Sequence, residues 1–259
     1  MKPLASLDAR AIDTLLFDID ETLTTEGKLI AAAYAALERL KRAGKRLVPI
    51  TGRPAGWCDH IARMWPVDAV VGENGAFYFG MFDGKLVQRF QDDAATRARN
   101  RERLKAIGAR ILAAVPGCAL ASDQGYRETD LAIDYCEDVP PLPLASAERI
   151  AALMREAGLS AKVSSIHVNG WFGSYDKLAM TRTLFRERFG VELDGEQRRT
   201  AFIGDSPNDQ PMFAYFENSV GVANVRRFES VLRDKPRYVA RASSGEGFAE
   251  LASHLLGEA

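Results

Sequence analysis

The chain has 259 residues, 47% apolar and 27% charged, with 34 Lys and Arg against 35 Asp and Glu, for a net charge of −1. That balance argues against nucleic-acid binding through bulk charge. The longest apolar run, Leu29 to Leu37, is far short of the ~20 residues of a membrane span, and no charged-then-apolar leader is visible, so a cytoplasmic protein with no membrane partner is expected. Cys58, Cys118 and Cys136 are never spaced Cys-x-x-Cys, which predicts reduced thiols rather than a disulfide framework or a zinc site.

In chain order, Thr14–Phe17 is apolar on both faces, as a central parallel strand should be. Lys28 to Ala43 follows as a helix, with Ile30, Ala33, Tyr34, Leu37 and Leu40 on one stripe and Gly44 to end it. Leu47–Ile50 reads as a strand, Ala55–Met64 as a helix and Ala69–Val71 as a third strand. From about Phe77 to Val168 the strands alternate instead. Leu131, Ile133 and Tyr135 alternate with Asp130, Ala132 and Asp134; Ile166 and Val168 alternate with Ser165, His167 and Asn169. Alternation predicts an antiparallel sheet with one covered and one polar face, and the helices at Asp93–Ala114 and Ser146–Ala157 suffice for one face only. The βα rhythm then returns. A helix is predicted over Asp176–Phe189, a strand over Thr200–Ile203, a helix over Asn208–Tyr215, strands at Ser219–Val222 and Tyr238–Val239, and a last helix over Gly247–Leu256. The predicted fold is α/β: a doubly wound, Rossmann-like parallel-sheet core (residues 1–80 and 172–259) with an inserted α+β cap (81–171).

Ligands of open parallel sheets bind at the carboxyl ends of the strands. Three predicted strands end in Asp18-Ile-Asp20-Glu-Thr-Leu, Thr51-Gly52-Arg53 and Gly204-Asp205-Ser-Pro-Asn208-Asp209. Asp18, Asp20, Asp205 and Asp209 would converge in one crevice, which is costly unless a cation neutralises them. An all-oxygen set selects a hard ion, most naturally Mg²⁺ shared with a substrate phosphate. Thr51 and the Gly52 amide offer neutral donors to phosphate oxygens. Lys177 in the first turn of a helix opposes the helix dipole, a placement that makes sense beside anions. Any one of these residues alone could be a turn former or helix cap; four motifs in order, each at its own element end, are not explained that way.

These motifs resemble those of the haloacid dehalogenase-like hydrolase superfamily: Asp18-x-Asp20-x-Thr22 its first, Thr51-Gly-Arg53 its second, Lys177 its third and Gly204-Asp205-x-x-Asn208-Asp209 its fourth. Glu73-Asn-Gly-Ala76 and Gly245-Glu-Gly-Phe248 are similar to its Cof-like branch. The long interval between Thr51 and Lys177 places the cap as in the type IIB members, which include sugar phosphatases. The resemblance implies that Asp18 forms an aspartyl-phosphate and Asp20 acts as acid and then base. It implies that Mg²⁺ is held by Asp18, the Asp20 carbonyl, Asp205 and Asp209, and that Thr51, Lys177 and Asn208 hold the phosphoryl oxygens. Glu21 stands where the family usually has Gly, so its side chain must fit a tight turn at the crevice rim.

The polar cap face, with Glu128, Asp130, Asp134, Ser165, His167 and Asn169, is expected to roof the site and bind a small phosphorylated substrate, most simply a sugar phosphate, with Arg127 on the opposite face. The expected function is a Mg²⁺-dependent phosphatase, monomer or homodimer; a sugar phosphomutase with the same chemistry and a non-catalytic phosphometabolite-binding protein are the alternatives. His60 and His254 are expected on helix surfaces, Trp57, Trp65 and Trp171 in packing or hinge roles, and the basic run Arg97, Arg99, Arg101, Arg103 on a solvated face.

Overall fold

The structure, a computed structural model, describes residues 1–258. β1 (Lys2–Pro3) and β2 (Thr14–Phe17) precede α1 (Ala31–Arg42), β3 (Arg46–Pro49), α2 (Ala55–Met64) and β4 (Val70–Gly72). A hairpin of β5 (Phe77–Phe82) and β6 (Lys85–Phe90) leads to α3 (Ala94–Ala114), β7 (Ala119–Leu120), β8 (Asp130–Asp134), α4 (Leu144–Glu156), β9 (Ser160–Val163) and β10 (His167–Trp171). The chain closes with α5 (Lys177–Leu184), β11 (Thr200–Gly204), α6 (Gln210–Tyr215), β12 (Asn218–Gly221), β13 (Tyr238–Val239) and α7 (Ser244–Leu256).

The core sheet runs β1-β13-β12-β11-β2-β3, parallel throughout, and a bridge between Ile50 and Val71 brings β4 alongside its edge. The double winding explains why β2 is apolar on both sides. Leu15 and Phe17 pack with residues of α1 and α7, where Phe17 meets Phe248 edge-on at 5.2 Å; Leu16 packs with residues of α5 and α6 on the other face. Strand order reverses between β2 and β11, the switch point where such sheets open a crevice.

The cap sheet is antiparallel in the order β7-β8-β10-β9. Leu131, Ile133 and Val168 pack with α3 and α4, which leaves Asp134 beside His167 and Ala132 beside Asn169 on the other face. A fourth apolar cluster joins cap and core: Trp171 and Tyr175, stacked at 5.6 Å, pack with Phe77, Phe79, Cys58 and Ile61. Trp171 is therefore a packing residue where the chain returns to the core. Trp57 is not: it is exposed and its ring stacks on the Arg53 guanidinium at 4.3 Å.

The start of α1 lies later than predicted. Residues 28–30 stay outside α1 because Thr25 and Lys28 exchange backbone hydrogen bonds (2.8 and 2.9 Å) around Glu26 and Gly27, both at positive φ, closing a tight turn before the helix starts.

Candidate active site

Asp18 follows β2 directly, and its N–H donates to Ile203 O at 2.9 Å, continuing the ladder past the end of the strand. This registers Asp18 against the Gly204–Asp205 turn after β11. Gly204 is required there: a Cβ at that position would lie 2.4 Å from Asp209 Oδ2. That oxygen instead accepts the N–H groups of Asp205 (3.1 Å) and Ser206 (3.3 Å), and Ser206 and Asp209 form a capping box on the turn that precedes α6. Asp18, Asp205 and Asp209 thus each bring a carboxylate oxygen within 4.8 Å of the others, all buried.

Lys177 reaches this cluster because Asp176 caps α5, accepting Ala179 N–H at 2.8 Å. Its Nζ lies 2.7 Å from Asp18 Oδ1 and 2.7 Å from Asp209 Oδ1, with the whole side chain buried. Burial alone would lower the Lys177 ammonium; the two carboxylates outweigh it and raise it. Burial pushes the Asp18 carboxyl up to about 8 against the pull of Lys177, with Asp209 and Asp20 pushing the same way as burial. Burial, then Asp18 and Asp209, also hold Asp205 well above the usual carboxylate range. One ammonium does not neutralise three buried carboxyl groups, and the donor set is all oxygen, so a hard divalent cation fits this cluster.

Asp20 turns away from the cluster. Arg53 Nε donates to its two oxygens at 2.8 and 3.0 Å. Thr51 is buried; its Oγ1 accepts Arg53 N–H at 3.0 Å, and its own O–H has no acceptor among the described residues. Asn208 Oδ1 accepts the Ser206 hydroxyl at 2.8 Å, leaving its amide donors to face the crevice. Glu21 adopts φ +55°, the left-handed conformation that explains the usual Gly, and its carboxylate accepts Ser244 Oγ at 3.2 Å and Gly27 N–H at 3.4 Å at the rim.

The crevice is walled by Asp18, Asp20, Gly52 and Asn208 below and by Ser165, His167 and Asn169 of the cap above. The other roof expectations fall elsewhere. Glu128 faces away and pairs with Arg101 at 3.1 Å, so Arg101 is neutralised rather than simply solvated. Asp134 is buried and accepts the N–H groups of Cys136, Glu137 and Asp138 at 2.8–2.9 Å, which shapes a turn rather than a ligand site. Asp130 is buried, taking Arg127 NH1 at 3.1 Å and Asn169 Nδ2 at 2.9 Å. Arg127, expected on the far face, is on the crevice side. It also holds Asp123 (3.0 Å) and donates to Gly52 O of the core at 2.9 Å. Its short-range partners Asp123 and Asp130, at i−4 and i+3, draw it under the sheet.

Sequence reading missed a bridge across the crevice. Arg53 contacts Asp123 at 3.3 Å and Glu137 at 2.6 Å as well as Asp20, and His167 Nε2 lies 2.8 Å from Glu137 Oε2, poorly aligned for a hydrogen bond. The only sequence signal was Arg53 itself in the Thr-Gly-Arg motif.

A doubly wound sheet whose switch-point crevice gathers three carboxylates and a lysine under a polar roof is suited to phosphoryl-transfer chemistry. Residues 15–98 match the haloacid dehalogenase-like hydrolase family. A phosphoglycolate phosphatase of Pyrobaculum neutrophilum is 30% identical over 247 residues, 93% of this chain and 95% of that one. One of Methanothrix thermoacetophila is 24% identical over 94% of this chain and 97% of its own. The sucrose-phosphatase of Synechocystis, solved with sucrose and phosphate, superposes with a TM-score of 0.63 at 18% identity, over 95% of this chain and 98% of that one. The chain belongs to the haloacid dehalogenase-like hydrolases, and it is a phosphatase of that superfamily with a capped α/β fold. Among the described residues no helix is long and apolar enough to cross a membrane.

Proposed function

We propose that this enzyme hydrolyses a sugar phosphate or phosphorylated glycoside in the cytoplasm, using Mg²⁺ and a transient aspartyl-phosphate on Asp18, with residues 81–171 as the cap over a core of 1–80 and 172–259. The observation that carries the reading is the Asp18–Lys177–Asp209–Asp205 cluster directly beneath His167 and Asn169.

Asp18 attacks phosphorus as the ester P–O bond breaks. Asp20, on the leaving-group side and oriented by Arg53, donates a proton to the departing oxygen, then takes one from the water that cleaves the acyl phosphate. Lys177, the Thr51 hydroxyl, the Gly52 amide and the Asn208 amide stabilise charge on the phosphoryl oxygens. The Asp18, Asp205 and Asp209 carboxylates, with the Asp20 carbonyl, would hold Mg²⁺, which when bound supplies further charge neutralisation. Ser165, His167 and Asn169 offer hydroxyl, imidazole and amide groups to a polyhydroxylated leaving group. A mutase, which must reorient a doubly phosphorylated sugar, needs several free cations around it; Arg53 and Arg127 are both committed to carboxylates, which leaves Lys162 on β9.

The test is phosphate release from a panel of hexose and glycosyl phosphates, with 2-phosphoglycolate included, with and without Mg²⁺. Mg²⁺-dependent turnover of sugar phosphates that Asp18→Asn abolishes supports the reading. Undiminished activity of Asp18→Asn overturns it.

A further inference from the structure

We infer that Glu137, which no sequence motif singles out, selects for a neutral hydroxylated leaving group by excluding an anionic one. The inference rests on the phosphatase reading above, in which the departing oxygen takes its proton from Asp20. The leaving group must then emerge on the Asp20 side of the crevice, and the charges there decide what it can carry.

Arg53 is the cation closest to that exit, and it is fully engaged. It contacts both oxygens of Asp20, Asp123 at 3.3 Å and Glu137 at 2.6 Å, and its face is covered by Trp57. Arg127, next in line, is spent on Asp123 and Asp130. Four carboxyl groups therefore face two guanidinium groups. Glu137 is the member of this set that is both contributed by the cap and partly open, its side chain 23% exposed, and it sits 2.8 Å from the crevice-lining His167. Lys162, the other cation on this face of the roof, pairs with Asn169 from the edge strand β9. That strand packs on the Pro207–Asp209 turn, which places Lys162 across β10 from β8 and from the Glu137 that follows β8.

A carboxylate on the leaving group would find no uncommitted cation beside Asp20 and would have to displace Glu137 from Arg53 against like-charge repulsion. A hydroxyl meets the opposite situation. It donates to Glu137 or accepts from Asn169 without disturbing the bridge. Discrimination of this kind comes from a repulsive element built against the wrong partner, and Glu137 is that element.

The matched substrates are 2-phosphoglycolate and 2-hydroxyethyl phosphate, which differ in a carboxylate against a hydroxymethyl group. Wild-type kcat/KM should favour the neutral ester roughly tenfold or more. Glu137→Gln should move that ratio about tenfold toward phosphoglycolate, whereas Glu137→Asp, which keeps the charge, should retain the wild-type preference. A wild-type preference for phosphoglycolate overturns the inference, and so does an unchanged ratio in Glu137→Gln with both esters still turned over through Asp18. If Glu137→Gln fails to fold by circular dichroism, the wild-type and Glu137→Asp ratios decide the matter. Absence of turnover of every ester, sugar phosphates included, overturns the phosphatase reading and the inference together.

Discussion

The Glu73 carboxylate accepts the backbone N–H of Thr129 at 2.7 Å, tying the turn after β4 to the segment that enters the cap strand β8. The same carboxylate takes the N–H groups of Glu128 and Ala55 at 2.9 Å each and the Thr129 hydroxyl, and it is fully buried. Glu73 is thus an acceptor hub between core and cap. Replacing it with Gln turns an NH₂ group toward donors that need an acceptor. Glu73→Gln is expected to cost about 2–4 kcal/mol in urea unfolding, since it leaves buried N–H groups unpaired. A loss under about 1 kcal/mol would show that water or neighbouring groups replace the carboxylate.

How much of this was legible in the sequence follows from the range of each interaction. β2, β3 and β11 announce themselves as apolar runs, and Asp18, Thr51 and Asp205 sit at their ends because crevice geometry is a property of strand order. The two faces of the cap sheet were also readable, since Leu131, Ile133 and Val168 alternate with polar residues. What a polar residue on that face touches was not. Asp134 folds back on its own turn, Glu128 leans to Arg101, and Arg127 follows two carboxylates under the sheet. The contacts of Arg53 with Asp123 and Glu137 span 70 and 84 positions, and those of Glu73 with Glu128 and Thr129 span 55 and 56. No local periodicity encodes such pairs; they exist only once the cap has docked.

Mg²⁺ should stabilise the folded protein through the three clustered carboxyl groups. Ligand present at about a hundred times its dissociation constant contributes about 2.7 kcal/mol, visible as a rise in Tm. Asp205→Asn removes one metal-binding oxygen and one member of a mutually repelling set. Without Mg²⁺ the variant should match or exceed the wild type in Tm; with Mg²⁺ it should lose most of the gain. An equal Mg²⁺-induced shift in both proteins would place the ion elsewhere.

Glu137 should also leave a signature in acid. Burial alone would raise its carboxyl, but the close contacts with His167 and Arg53 outweigh it and hold the group down to about 2. Its folded value lies below its unfolded one. The stabilisation is therefore complete above about pH 4.5 and is lost as pH falls toward 2. Solvent screening of this partly open group limits it to about 1–2 kcal/mol. The stability difference between wild type and Glu137→Gln, measured by urea unfolding from pH 6 to pH 3, should shrink below pH 4.5. Parallel curves over that range would mean that Glu137 is not held by Arg53 and His167.

Gly75 connects the Glu73 turn to Lys177. It adopts φ +105°, and a Cβ there would lie 2.0 Å from Asp176 O and 2.9 Å from Lys177 N. Both are backbone atoms at the start of α5, so neither can swing aside as a side chain would. Gly75→Ala must push the helix terminus outward and carry Lys177 away from Asp18 and Asp209. We expect a stability loss of about 3 kcal/mol or more and a fall in kcat of roughly a hundredfold, since displacement of a positioning group by about 1 Å suffices for that. Gly84 at the tip of the β5–β6 hairpin separates strain from collision. It too has a positive φ, +74°, but nothing lies within 4 Å of its missing Cβ. Gly84→Ala should therefore cost only about 1 kcal/mol, the penalty of the left-handed backbone, with kcat unchanged. If the two variants behave alike in both unfolding and turnover, the contact of Gly75 with Asp176 does not position Lys177.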